Sequence, residues 1–181
     1  MIFEPTPLEG LLIVRPEKFP DNRGFFARLW DEEAFAAAGH PFRPTQISVS
    51  HNAHAGTLRG LHWQREPHGE TKLVRASCGR IYDVAVDLRR GSPTFCCWFS
   101  VELDADFHAA LLIPAGFAHG FVTLTHDAEV IYCIHEPFVP DAAAGARYDD
   151  PAFGIVWPVL PTILSDRDRT WPAFPIGPGD A

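Results

Sequence analysis

The chain has 181 residues, a formal net charge of −8 and an apolar content of 46%. That length suits one domain with a sizeable core, and the apolar fraction excludes a disordered chain. An acidic chain without a basic run is a poor electrostatic match for nucleic acid, so an anionic ligand must find a local cluster of cations. No stretch reaches the length of a membrane span.

The start, Met1-Ile2-Phe3-Glu4-Pro5, lacks the basic region and apolar core of a signal peptide. Cys78, Cys96, Cys97 and Cys133 show no Cys-x-x-Cys spacing and read as reduced thiols of a cytoplasmic protein. Residues 1–20 read as short strands, with the apolar run Leu11-Leu12-Ile13-Val14 closed by Pro16 and Pro20. Asp21-Asn22-Arg23-Gly24 is a turn, because Asp and Asn bond the local backbone and Gly accepts a positive φ. Residues 25–30 follow as a strand. Asp31 caps the clearest helix, 32–38, with acids in its first turn and Gly39 as its stop. Residues 46–50 alternate as a strand, and 51–56, small and polar, read as a loop.

Gly56-Thr57-Leu58-Arg59-Gly60-Leu61-His62-Trp63-Gln64 comes next. As a strand it sets Leu61 and Trp63 on one face and His62 and Gln64 on the other. Arg59 stands three residues before His62, with Gly60 between them free to bend. Glu66-Pro67-His68-Gly69 is a turn. Further strands read at 71–75, with Lys72 and Val74 on one face, and at 81–88, with Tyr82, Val84, Val86 and Leu88 together and Asp83 opposite. Two more read at 95–103 and at 129–134, where Val130, Tyr132 and Ile134 share a side. After Pro140 regularity weakens, and the Pro-rich 158–181 reads as an extended surface segment. No linker or repeat divides the chain, so 1–181 is expected to be a single domain. Short strands at this spacing predict an all-β fold, an antiparallel sandwich or jelly-roll barrel with a few short helices.

Two segments concentrate the chemistry: Gly60-Leu61-His62, and Pro114-x-Gly116-x-x-His119. The second resembles a cupin signature, in which a tight turn aims a His into a barrel. Metal-binding cupins carry His-x-His and a Glu in the first segment, but here Gln64 stands at the second His position. His62, His68, Glu70 and His119 remain as candidate metal ligands. A metal site needs a complete His and carboxylate set on rigid strands, and no such set is visible.

The longer motifs go further. They are Asp21-x-Arg23-Gly24-Phe25-Phe26, Gly56-Thr57-Leu58-Arg59-Gly60-Leu61-His62, Lys72-Leu73-Val74, and Asp83-Val84-x-Val86-Asp87-Leu88-Arg89 with Gly91-Ser92-Pro93-Thr94-Phe95. After them come Pro114-x-Gly116-Phe117-Ala118-His119-Gly120-Phe121, Glu129-Val130-Ile131-Tyr132, Asp150-Pro151, Ile155-x-Trp157-Pro158 and Leu164-Ser165-Asp166-Arg167-Asp168. In this order they resemble the dTDP-4-dehydrorhamnose 3,5-epimerase family, a metal-free branch of the cupins.

The resemblance implies a cupin-like jelly-roll barrel that inverts C3, C5 or both in a nucleotide-linked 4-keto-6-deoxy hexose. It implies no cofactor, and a homodimer that exchanges N-terminal strands. It implies His62 as base, oriented by Asp168, Tyr132 as acid and Lys72 near the keto oxygen. Asp83 backs His119, Arg23 and Arg59 contact the diphosphate, Phe26 lies near the nucleotide, and Gln46 and Phe138 join the substrate contacts.

The residue types suit those roles. Abstraction of a proton beside a ketone needs a base near neutrality, as imidazole is, and a cation to stabilise the enolate. A phenol can return a proton from the other face, and arginine grips diphosphate with two parallel hydrogen bonds. Each residue also has a structural alternative: Arg59 in a surface ion pair, Lys72 solvated, Tyr132 in the core, Asp83 and Asp168 capping turns. As a set in family order, the functional reading prevails over a non-catalytic nucleotide-sugar binding module and over a metal-dependent cupin. Three features depart from the family: Arg28 in place of Glu, Phe138 in place of a second Tyr, and a loop 50–55 longer by one residue. They leave open which nucleotide is bound, which sugar, and which carbons are inverted.

Overall fold

Proline and glycine punctuation cuts the chain into short extended runs that pair almost wholly antiparallel. The computed structural model describes residues 1–175. In chain order the strands are β1 (Ile2–Pro5), β2 (Leu12–Arg15), β3 (Lys18–Asp21), β4 (Gly24–Ala27), β5 (Gln46–Asn52), β6 (Leu58–Gln64) and β7 (Lys72–Cys78). After these come β8 (Arg80–Asp87), β9 (Trp98–Asp104), β10 (Ala110–Ile113), β11 (Phe117–Thr123), β12 (Ala128–Ile134) and β13 (Ala143–Gly145). Two short α-helices, α1 (Glu32–Ala37) and α2 (Asp166–Thr170), and a single 3-10 turn at Pro140–Ala142 complete the described elements. Neither α-helix is long and apolar enough to cross a membrane.

Six strands form one sheet in the order β1-β2-β10-β7-β12-β5, and five form a second in the order β13-β6-β11-β8-β9. The β3–β4 pair is a separate hairpin. The sheets face each other as a cupin-like jelly roll. At one end the space between them is filled by Val74, Ile81, Ala85, Leu103, Leu111, Ile113, Phe117, Phe121 and Val130. The outer face of the six-stranded sheet is covered in part by Phe35 of α1, Phe42 and Trp30. Full burial of a phenylalanine such as Phe35 contributes on the order of 2–3 kcal/mol. Val84, Val86, Leu61 and Ala118 pack outward beneath Phe153, Ile155, Trp157 and Phe174.

The α1 helix begins as its cap predicts: the Asp31 carboxylate accepts from the Ala34 N–H at 2.9 Å, and Gly39 leaves it with φ +81°. Several boundaries differ from expectation. The strand predicted at 25–30 ends at Ala27, because its partner β3 is only four residues long. His51 and Asn52 are not loop but the end of β5, paired with Glu129 and Ala128. The strand predicted from 95 starts at Trp98, because 92–97 coil around Asp87, which accepts from the Ser92 and Thr94 hydroxyls. The stretch from 158, read as a surface wrap, is exposed at Val159 and Leu160. It then bridges Ile163 to Thr57 and forms α2 with Asp168 buried. Residues 176–181 of that stretch lie outside the described residues.

Candidate active site

At the end of the jelly roll opposite the apolar filling, the sheets part around a cavity of about 740 Å³, a size suited to a ligand larger than a simple sugar. Its walls combine both sheets. From the six-stranded sheet come Gln46, Ser48, Lys72 and Tyr132, and from the five-stranded sheet Arg59, His62, Gln64 and His119. Phe138 stands at the rim, and Ser165, Arg167 and Asp168 of the α2 region close one side.

Arg59 and His62 present a geometric problem, since residues three apart on a regular strand face opposite ways. The β6–β11 pairing resolves it. His62 pairs with His119 and Arg59 with Phe121, so β6 holds one extra residue against β11. This bulge turns both side chains into the cavity. Gly60 makes it possible: its φ is +120°, and a Cβ there would lie 2.6 Å from the Gly120 Cα. Any larger residue would drive the two strands apart.

His62 Nε2 lies 2.6 Å from Asp168 Oδ1. Burial alone would raise the Asp168 carboxyl, but hydrogen bonding and charge from His62, with Ser165 and the Gly60 N–H, hold it below the usual carboxylate range. Asp168 is aimed by α2, where the Ser165 hydroxyl accepts from the Asp168 N–H. Behind His62, the Trp171 ring lies in edge contact at 6.3 Å, over Gly145, where a Cβ would collide with the indole. The Arg167 guanidinium stacks 4.7 Å above that ring.

His119 repeats the pattern one strand over, with Nε2 2.7 Å from Asp83 Oδ1. Asp83 is fully buried behind His119 and does not line the cavity. The Tyr132 ring lies 6.1 Å from that of His119, and burial pushes its phenol well above the ordinary value, so it stays protonated. Arg59 donates from Nε to Asn52 Oδ1 at 2.8 Å and from Nη2 to the His51 carbonyl at 3.3 Å. Lys72 and Glu70 form an ion pair at 2.7 Å, with side chains only 9% and 10% exposed.

The structure therefore brings together His62, Asp168, Tyr132, Lys72, Arg59, Gln46, His119 and Phe138. It does not bring Arg23 and Phe26 to this cavity. Both lie on the β3–β4 hairpin, with Phe26 66% exposed and Arg23 closed on Asp21. Arg28, in the same region, pairs with Asp31 at 2.8 Å. Among the candidate metal ligands, Glu70 is engaged by Lys72, and the described residues contain no group of three His, Cys, Asp or Glu able to hold a metal ion.

Sequence reasoning gave no site role to Asn52 or Trp171, quoted Arg167 only within a motif, and weighed Glu70 only as a metal ligand. Ser165-x-x-Asp168 is the one signal that could have exposed α2, since it is a helix-start pattern.

The sequence profile of the dTDP-4-dehydrorhamnose 3,5-epimerase family matches residues 5–175. A dTDP-4-dehydrorhamnose 3,5-epimerase of Pseudomonas aeruginosa is 44% identical over 170 residues, covering 92% of each chain. A crystal structure of the Bacillus anthracis enzyme of that name, with TDP and PPi bound, superposes with a TM-score of 0.92 at 41% identity, covering 96% of this chain and 99% of that one. A 3'-monoepimerase from Streptomyces bikiniensis, solved with dTDP-quinovose, gives 0.86 at 35% identity, covering 94% and 86%. Likeness of this extent in sequence, in fold and in the run of motifs through the cavity means that the chain belongs to the dTDP-4-dehydrorhamnose 3,5-epimerase family.

Proposed function

We propose that the protein is an isomerase that inverts C3, C5 or both in a dTDP-linked 4-keto-6-deoxy hexose, in deoxysugar biosynthesis. The observation that carries this reading is the disposition of base and acid. His62, backed by Asp168, projects from the five-stranded sheet, and Tyr132 projects from the six-stranded sheet into the same cavity. Inversion requires a proton to leave one face of a carbon and another to arrive at the opposite face, and two facing sheets suit that need.

Asp168 accepts from His62 Nε2–H, which leaves Nδ1 to take the substrate proton. The C–H bond breaks, its electron pair moves to the keto oxygen, and the Lys72 ammonium stabilises the enolate. The Tyr132 hydroxyl then gives its proton to the carbon from the other side, the carbonyl re-forms, and solvent resets both groups. No electron is gained or lost overall, so the reaction calls for no redox cofactor. Arg59 takes the diphosphate, with Arg167 as a second cation on the same cavity.

The hairpin residues complete the picture if the protein is a dimer in which Arg23 and Phe26 of one chain reach the site of the other. Exposed apolar side chains on the hairpin and on β5, among them Phe26 and Ile47, support this arrangement. The four cysteines are unpaired, in keeping with a cytoplasmic enzyme.

Proton NMR of the purified protein with dTDP-4-keto-6-deoxyglucose in D2O tests the activity. Deuterium should enter beside the ketone and the configuration should invert. A substrate that keeps its protons and configuration would refute the reading.

A further inference from the structure

The cavity is lined by two carboxylates, Asp168 and Glu70, and each is bound to a group with a chemical part to play. Asp168 holds the imidazole. Glu70 Oε1 holds the Lys72 ammonium at 2.7 Å, with both side chains nine-tenths hidden from solvent. The other Glu70 oxygen accepts from Gln64 Nε2 at 3.4 Å. Gln64 is itself fixed. Its oxygen accepts from the Val139 N–H, which leaves the amide nitrogen facing the acceptors Glu70, the His68 carbonyl and the Pro137 carbonyl. A lysine side chain is flexible, so a cation that must meet one particular oxygen needs an anchor.

We propose that Glu70 is a positioning residue for Lys72, setting where the ammonium sits on the cavity wall and leaving its remaining N–H groups for the substrate oxygen, while Gln64 holds Glu70. This rests on the epimerase reading above. It explains why Gln64, at the position where metal-binding cupins carry a histidine, is buried and engaged on both ends of its amide. It also accounts for a second carboxylate, beside Asp168, in a cavity whose other charged groups are the cations Arg59, Lys72 and Arg167.

The experiment begins with wild-type deuterium wash-in. Its absence counts against the epimerase reading itself. Given turnover, Glu70→Gln keeps the side chain's shape and its contact with Gln64. It should lower kcat roughly ten- to a hundredfold while KM stays within about threefold. Glu70→Asp should fall between Gln and wild type. Thermal unfolding of each variant separates a lost fold from a misplaced cation.

In a Lys72→Met background, Glu70→Gln should add no further loss. A second full loss there, or an unchanged kcat in the single variant, overturns the proposal. One readout needs no turnover. The chain has two lysines, Lys18 and Lys72, and Lys18 lies exposed on the hairpin. Acetic anhydride labelling read by mass spectrometry should show Lys72 reacting faster relative to Lys18 in Glu70→Gln than in wild type. An unchanged ratio overturns the anchoring role, whatever the activity.

Discussion

His62 and Tyr132 sit in the same cavity with unlike chemistry, and their separate roles can be told apart. Loss of the imidazole in His62→Ala should abolish both inversion and deuterium wash-in, a fall on the order of a hundred- to ten-thousand-fold. Tyr132→Phe should stop inversion yet let the enolate form, so His62 returns a deuteron to the original face and wash-in survives. NMR distinguishes the two patterns, and wild-type wash-in by His62→Ala would assign the base elsewhere. Arg59 is preset by Asn52, so its free N–H groups need little reorganisation to meet a diphosphate. Arg59→Ala should weaken dTDP binding by roughly 2 kcal/mol, measured by calorimetry, and unchanged affinity would remove it from the anion site. At this scale many of the residues that the candidate site gathers were legible, because imidazole, phenol and ammonium announce their chemistry. The pairing of Glu70 with Lys72 was not. In the sequence it is a carboxylate between Gly69 and Thr71, and only the tertiary structure turns it against the ammonium.

The strands were legible wherever alternation was strong, as on β8, where Tyr82, Val84 and Val86 face out and Asp83 faces in. β13 was not, because Ala143-Ala144-Gly145 has no apolar rhythm and is extended only by pairing with β6. Nor was the bulge in β6, which requires knowing that Gly120 lies opposite Gly60. The turn after β8 carries a prediction of its own. Asp87 is fully buried and receives hydrogen bonds from Arg89, Ser92 and Thr94. Burial alone would raise its carboxyl, but these partners hold it down at about 2, against an ordinary 3.8. A depressed carboxyl stabilises the fold above its unfolded value and loses that contribution as pH falls through the folded one. Asp87→Asn should therefore cost about 1–2 kcal/mol at pH 7, allowing for solvent screening. In urea unfolding the gap from wild type should close as pH drops from about 4 towards 2. A gap that stays constant with pH would show that the ionised form is not what matters.

Among the described residues, the β3–β4 hairpin and one face of β5 stay largely exposed, and the dimer reading would cover both. Light scattering at micromolar concentration should give twice the 20.1 kDa of one chain. A monomer mass would leave Arg23 and Phe26 without a site to reach. A mixture of an Arg23→Ala,Phe26→Ala variant with His62→Ala, each crippled alone, should recover activity once chains exchange, and no recovery would count against a shared site. The barrel's overall plan was legible in its turn spacing, whereas the closure of its mouth by α2 was not, since five helical residues among prolines leave little periodicity. That closure has a bearing on how the enzyme is made. The His62 imidazole and the Asp168 carboxylate are separated by 106 positions in the chain, and every barrel strand is synthesised before Ser165. The imidazole is made long before its partner, and the pair forms only when the late segment docks with Ile163 against Thr57 and Trp171 over Gly145. The order of synthesis therefore puts the imidazole–carboxylate pair, and the Arg167 guanidinium beside it, among the last parts of the cavity that the chain can complete.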